Sequence, residues 1–306
     1  MAHSAPPQPL SWTVVGQGAI GLLAACRLRQ QQTAVSLWLR EKCALNVQFI
    51  EAQQSSAYVF SSPPEMLSAV LVPVKSYAVA EAIKQLKPCL TADAQLVISH
   101  NGMPDLASLQ SLLTPEQGLW FLTTTHGAVT SSSNNLITIE HTGNGNSILA
   151  PINTAASQHT ETITAAMNRA LGPLQQVDDI RPFLWQKLAI NAAINPLTAI
   201  HNCRNGALSQ PQYQAQISAI IAEVCMVAAA SGYPLDASKT SVTVEAVIEK
   251  TALNYSSMQQ DIVRQRQTEI DAITGFIVRQ ANKFGLDVPQ NRQLQQQILQ
   301  LQQKPV

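Results

Sequence analysis

The sequence is short of charge. Lys, Arg, Asp and Glu make up 12% of its 306 residues, about half the usual share for a globular protein. Basic and acidic residues number 19 each, so no net charge draws the chain to nucleic acid or to an anionic membrane surface. Cysteine is sparse as well. Cys26, Cys43, Cys89, Cys203 and Cys225 are odd in number, scattered and without a C-x-x-C pair, which argues against a disulfide framework or a structural metal site. The opening segment MAHSAPPQPL has no basic region, and Gly16, Gln17, Gly18 and Gly21 interrupt the apolar stretch after it. No signal peptide or amino-terminal membrane span is expected, and the reading is a cytoplasmic protein.

What is present is an ordinary share of core-forming residues, 46% hydrophobic, on a chain long enough for two domains. Residues 1–10 read as a loose extension. TVVGQGAIG from Thr13, LLAACRLRQQ and AVSLWLR then give strand, glycine turn, helix and strand within the length of a βαβ unit. Short β-rich runs at Val47–Ile50, Ala69–Val74, Gln95–Ser99 and Leu119–Thr123, mostly with helical patterns between them, predict a parallel sheet covered by helices. Asn134 to Pro151 reads as a hairpin or edge strands turning at Gly143-Asn144-Gly145. Past Val177 only helical periods remain, over Ile180–Ile200, Gln212–Ala230, Val242–Leu253 and Met258–Phe284. The expected division is therefore an α/β domain over 1–178 and an all-α domain over 179–306. The Gln-rich end reads as a frayed helix without functional content.

Gly16-Gln17-Gly18-Ala19-Ile20-Gly21 is a G-x-G-x-x-G motif, weak alone but placed here between a predicted strand and a predicted helix. Such a turn lets backbone N–H groups and a helix N-terminus meet a pyrophosphate. The bland alternative is a glycine turn with no ligand. Arg40 stands at the end of the second strand, where a carboxylate would select NAD. A guanidinium there suits the 2′-phosphate of NADP. The alternative is a solvated Arg40, with Glu41 taking the ribose.

Lys187, Asn191 and Asn195 recur at i, i+4 and i+8 in an otherwise apolar helical run, and Pro196 is expected to kink or end that helix. Either this is a solvent-facing stripe, or it is a polar face whose lysine, depressed by burial, serves as a general acid. Ser257 and Gln260 have capping-box spacing, so Ser257 is read as a helix start. Without further information Glu269 is a surface acid. Lys75 and Asn101 follow strand runs, at the strand ends where open α/β sheets bind ligands. His100 and His126 share that edge and have no partner at metal-ligand spacing, so no metal is assigned.

Taken together, GQGAIG, HNGM at His100–Met103, TTTH at Thr123–His126, KLAINAAINPLTAI from Lys187 and SSMQQD…TEID over Ser256–Asp271 resemble the ketopantoate reductase (2-dehydropantoate 2-reductase) family. The resemblance spans nearly the whole chain. It implies a Rossmann-type domain, a helical domain and an active site in the cleft between them. It also implies NADPH-dependent reduction of 2-dehydropantoate to (R)-pantoate in pantothenate synthesis. By matching position, Lys187 would be the general acid and Glu269 its partner at the substrate. Asn101 would lie near nicotinamide and substrate; Asn191, Asn195, Asn205 and Ser257 would hold substrate polar groups. Lys75 would sit close to the reacting centre and Arg40 at the 2′-phosphate. A reductase of another branched 2-oxo acid, or a non-catalytic NADP-binding sensor, remains compatible with the sequence, and so do a monomer and a homodimer.

Overall fold

In the computed structural model the described residues are 10–41, 43–133 and 135–303. The extension expected over 1–10 lies outside them except for Leu10, as do Lys42 and Asn134. The chain divides into two units. One takes the described residues up to His100 with Asp105–Ile180, the other Asn101–Pro104 with the residues from Arg181 onward. The four-residue loop Asn101–Pro104 thus groups with the helical part, which a simple boundary at Asp178 or Asp179 does not provide for.

The α/β unit runs β1 (Trp12–Val15), α1 (Ala19–Gln30), β2 (Val35–Trp38), β3 (Leu45–Glu51), β4 (Gln54–Phe60), β5 (Leu67–Val72), α2 (Val79–Leu86), β6 (Leu90–Ile98), α3 (Leu106–Gln110), β7 (Gly118–Thr124), β8 (Gly127–Ser133), β9 (Leu136–Gly143), β10 (Ser147–Pro151), α4 (Thr154–Ser157), α5 (Thr160–Leu171) and β11 (Leu174–Gln176). Seven strands form one sheet in the order β11-β10-β7-β6-β5-β1-β2, in which only β10 against β7 is antiparallel. The apolar run of β7 is buried along nearly its whole length, as a strand in the middle of a sheet covered on both faces requires.

A second sheet, β4-β3-β9-β8, departs from the expectation that Val47–Ile50 belongs to the parallel sheet. β3 and β4 form a hairpin closed by Ala52 and Gln53, both at positive φ, a two-residue turn without the glycine or asparagine that would mark it. Neither the hairpin nor the edge strands expected over 134–151 form, because β9 lies between β3 and β8 in one sheet and β10 between β7 and β11 in the other. Gly145 is there for close passage: a Cβ would lie 2.3 Å from the His126 nitrogen. Helix α1 packs on strands of both sheets, which is why it is buried from Gly21 to Cys26 instead of along one stripe. Side chains link the sheets too. His126 Nε2 lies 3.1 Å from the Gly172 carbonyl, its Nδ1 3.1 Å from His141 Nε2, and His141 Nδ1 2.9 Å from Glu51, which pairs with Arg27 at 2.6 Å. Burial chiefly lowers the pKa of His126.

The helical unit contains α6 (Arg181–Ile200), α7 (Pro211–Ala230), α8 (Ala237–Lys250), α9 (Ser257–Val263), α10 (Thr274–Phe284) and α11 (Pro289–Gln303). Helix α7 is long and apolar enough to cross a membrane by length and composition, yet Ile217, Ile220, Ile221, Val224 and Val227 are buried in this unit's core. Three sequence expectations need correction. Of the two outcomes expected at Pro196, a kink or an end, the end is excluded: α6 continues to Ile200 with Leu197 and Ala199 buried in the core. The helix expected over Met258–Phe284 is broken, since Gln265 takes a positive φ and the chain turns between α9 and α10. The C-terminal helix is not frayed through its described length: Leu294 and Ile298 are fully buried, each stabilising by roughly 1.5–3 kcal/mol.

Candidate active site

In the α/β unit, β1 has β2 on one side and β5 on the other, so the chain order reverses at β1. A crevice at the carboxyl ends of strands beside such a reversal is the usual ligand position. The glycine turn leaves β1 there. Gly16 has φ +81° and gives its N–H to the Trp38 carbonyl at 2.9 Å. A Cβ on Gly21 would lie 2.8 Å from Pro73 Cγ and 3.2 Å from Val14, so this glycine lets α1 close onto the sheet. Gly18 caps α1 without any side-chain hydrogen bond, leaving first-turn N–H groups to meet an anion. Gln17 is exposed, and Ala19 and Ile20 are partly so. Arg40 is exposed two residues beyond β2, and Lys75 opens the short 3₁₀ turn Ser76–Ala78 after β5. A glycine turn, an uncapped helix start and an exposed guanidinium together fit NADP(H).

The helical unit holds the polar stripe. Lys187, Asn191 and Asn195 lie on one face of α6 because they are spaced by four in a continuous helix. Lys187 is half-buried; loss of hydration pushes its pKa down to about 8, partly opposed by the Glu269 carboxylate. Asn195 is buried, and the buried Nδ2 of Asn191 has no hydrogen-bond partner among the described residues. An unmet amide beside a depressed lysine suits a polar ligand better than it suits the solvent-facing stripe.

Glu269 is 5% exposed, which overturns its reading as a surface acid. Its carboxylate accepts the backbone N–H of Asn101 at 3.3 Å and the side-chain amide at 3.1 Å. Ser256, not Ser257, caps α9: its Oγ accepts the Gln259 N–H at 3.1 Å and a hydrogen bond from Thr198 of α6 at 2.7 Å. The cap falls one residue earlier because Ser256 has the extended backbone that a cap needs. Ser257 is therefore the first helical residue, and it is exposed. Asn205 is buried, donating to Thr251 Oγ1 at 2.9 Å, while its Oδ1 lacks a partner among the described residues. Lys187, Glu269 and Asn101 are thus brought together, with Asn191 and Asn195 along the same face of α6.

The chain is similar to known proteins over most of its length. Residues 12–154 match the family described as ketopantoate reductase PanE/ApbA, and residues 179–302 match its C-terminal part. A 2-dehydropantoate 2-reductase of Vibrio cholerae is 37% identical over 292 residues, 95% of this chain and 97% of that protein. The chain belongs to the ketopantoate reductase family. A 2-dehydropantoate 2-reductase of Escherichia coli O157:H7 is 35% identical, over 92% of each chain. Among solved structures, a PanE/ApbA family ketopantoate reductase from Ralstonia eutropha superposes with TM-score 0.81 at 25% identity, covering 95% of this chain and 98% of the other. A D-mandelate dehydrogenase with NADH and anilino(oxo)acetate has the same fold at TM-score 0.86 and 19% identity, over 96% and 98% of the two chains.

Two features of this arrangement escaped the sequence reading. One is the closeness of the 101–104 loop to the Glu269 turn. Its trace was Gly102, which has φ +80° and whose Cβ would lie 2.3 Å from the Ala272 carbonyl oxygen. The other is the Thr198–Ser256 bond, which ties the start of α9 to α6 and carries no signature in sequence.

Proposed function

We propose that this chain reduces 2-dehydropantoate to (R)-pantoate with NADPH, the step that supplies pantoate for pantothenate synthesis. The observation that carries the reading is Lys187, half-buried and held near pKa 8 beside a carboxylate. A ketone that accepts hydride develops negative charge on its oxygen, and a cation able to release a proton belongs there. Lys187 fits that role, since at neutral pH it is mostly protonated yet gives up its proton far more readily than a solvated lysine. NADPH, held by the Gly16–Gly21 turn and Arg40, supplies the hydride.

The remaining roles follow from donor and acceptor type. Glu269 orients Lys187 and accepts the substrate hydroxyl, and Asn101 holds the Glu269 carboxylate in place. Asn191, Asn195, Asn205 and Ser257 bind the carboxylate and hydroxyl of the substrate. Lys75 adds positive charge near the reacting carbonyl. The five unbridged cysteines suit a reducing cytoplasm.

The test is NADPH oxidation with 2-dehydropantoate, with pyruvate and 2-oxoisovalerate as controls. Turnover of 2-dehydropantoate well above both controls supports the reading. Equal or faster turnover of 2-oxoisovalerate makes the enzyme a reductase of another branched 2-oxo acid. NADPH binding with no turnover of any of them overturns the enzymatic reading altogether.

A further inference from the structure

The turn that carries Glu269 lies between α9 and α10, outside any helix. A carboxylate on such a turn needs its backbone fixed from outside. Its own bonds fix one side: Ala272 and Ile273 both give their N–H to the Glu269 carbonyl at 3.1 Å. The loop at Asn101–Met103 fixes a second, with Met103 N–H on the Ala272 carbonyl at 2.9 Å.

The third side belongs to α11. Gln302 Oε1 accepts the Thr268 N–H at 2.6 Å, directly before Glu269, and Gln295 Nε2 donates to Asp271 Oδ1 at 3.1 Å, two residues after it. Gln295 and Gln302 are seven residues apart, so two turns of helix place both on one face. Thr268 is 3% exposed and its N–H has no other partner among the described residues, so water cannot readily replace Gln302. Arg279 of α10 adds a bond from Nη2 to the Asp271 carbonyl at 3.0 Å. The buried Leu294 and Ile298 anchor the helix that brings the two glutamines there.

We infer that Gln302 is a positioning residue for the reductase: by holding the Thr268 amide, it sets where the Glu269 carboxylate stands relative to Lys187. The last turn of the Gln-rich helix is then part of the catalytic apparatus. This rests on the proposed role of Glu269. It differs from a packing role because the contact is one acceptor oxygen on one amide hydrogen, so acceptor chemistry matters and side-chain bulk does not.

The experiment compares Gln302→Met, which keeps length but cannot accept, with Gln302→Glu, which keeps the acceptor oxygen. Substrate reduction, KM for 2-dehydropantoate, NADPH Kd and hydrogen exchange at the Thr268 amide are measured on the full chain. In Gln302→Met, kcat is expected to fall 3- to 30-fold, as for loss of one hydrogen bond. Thr268 exchange should speed at least tenfold, and NADPH Kd should stay within twofold. Gln302→Glu should restore most of kcat and the slow exchange. Faster exchange with unchanged kcat in Gln302→Met overturns the positioning role, as does equal loss of kcat in both variants. Glu269→Gln is run beside them. If it too leaves kcat unchanged, the role of Glu269 itself is wrong; if it lowers kcat while Gln302→Met does not, only the role of Gln302 falls.

Discussion

Asn101 and Glu269, separated by 168 residues in the chain, are joined by two hydrogen bonds. The backbone N–H and the side-chain amide of Asn101 go to different oxygens of one carboxylate, so the carboxylate is fixed in rotation as well as in place. The bonds have a charged acceptor, a class worth about 1.5–3 kcal/mol each where buried.

Replacing the amide by a carboxylate reverses this contact. Asn101→Asp sets two acceptors face to face, and it should lower kcat for 2-dehydropantoate more than Asn101→Ala, which only removes a donor. The check is kcat for both variants against unaltered protein. A loss in Asn101→Ala with little or none in Asn101→Asp, which has the same shape, would mean that Asn101 acts by occupying space.

Gly102 allows that contact to form. Any side chain there must adopt a left-handed backbone, and its Cβ would collide with the Ala272 carbonyl. Gly102→Ala is expected to destabilise the protein by roughly 2–4 kcal/mol, the sum of backbone strain and overpacking. Thermal unfolding reads this directly. A melting temperature unchanged within about 1 °C, where a loss of this size in a chain of 306 residues should produce a shift of roughly 3–6 °C, would contradict the close approach.

The division between legible and hidden features follows the range of the signal. The βαβ start, the glycine turn and the stripe at Lys187, Asn191 and Asn195 rest on spacing within one element, and spacing survives in sequence. The second sheet was hidden because the turn that joins β3 to β4, Ala52-Gln53, carries no turn-forming residue. The break after α9 falls in the polar run RQRQTE over 264–269, which has no glycine or proline to mark it, and Gln265 turns the backbone there. Glu269 could be singled out only through family resemblance, since what buries it is a loop from residues 101–104.

Cofactor selectivity should lie in Arg40. It is exposed beyond β2 and free to meet a 2′-phosphate, so Arg40→Asp should weaken NADPH use by about 1–3 kcal/mol while sparing NADH. The measurement is kcat/KM for each cofactor. Equal losses for the two would remove Arg40 from the phosphate site.

The two adjacent serines should separate cleanly. Ser256→Ala removes the α9 cap and the bond from Thr198, and is expected to lower stability by about 0.5–2 kcal/mol. Ser257→Ala should leave stability within about 0.5 kcal/mol, as for an exposed position, and raise KM for 2-dehydropantoate. Unfolding curves and substrate titration of both variants check the pair. A raised KM in Ser256→Ala alone would return the binding role to the capping residue.

Lys187 links activity and stability through one pKa. As the acid it must be protonated, so reduction should fall as pH rises through about 8, the value to which burial lowers it. Lys187→Met should lower kcat by roughly 10²–10⁴-fold, the range for a positioned general acid, and abolish that alkaline limb. Stability should move the other way. The folded pKa lies below the ordinary 10.5, so between about 8 and 10.5 the unfolded chain binds more protons and stability rises with pH. Lys187→Met, with no charge to bury, should be more stable than unaltered protein at pH 7 by on the order of 1–3 kcal/mol. That advantage should shrink across the same window and vanish above it. Unfolding at pH 7 and pH 10.5, beside the pH–rate profile, tests both halves. A gain in stability that does not change with pH would come from better packing by methionine, and an alkaline limb that survives in the variant would pass the role of acid to Lys75.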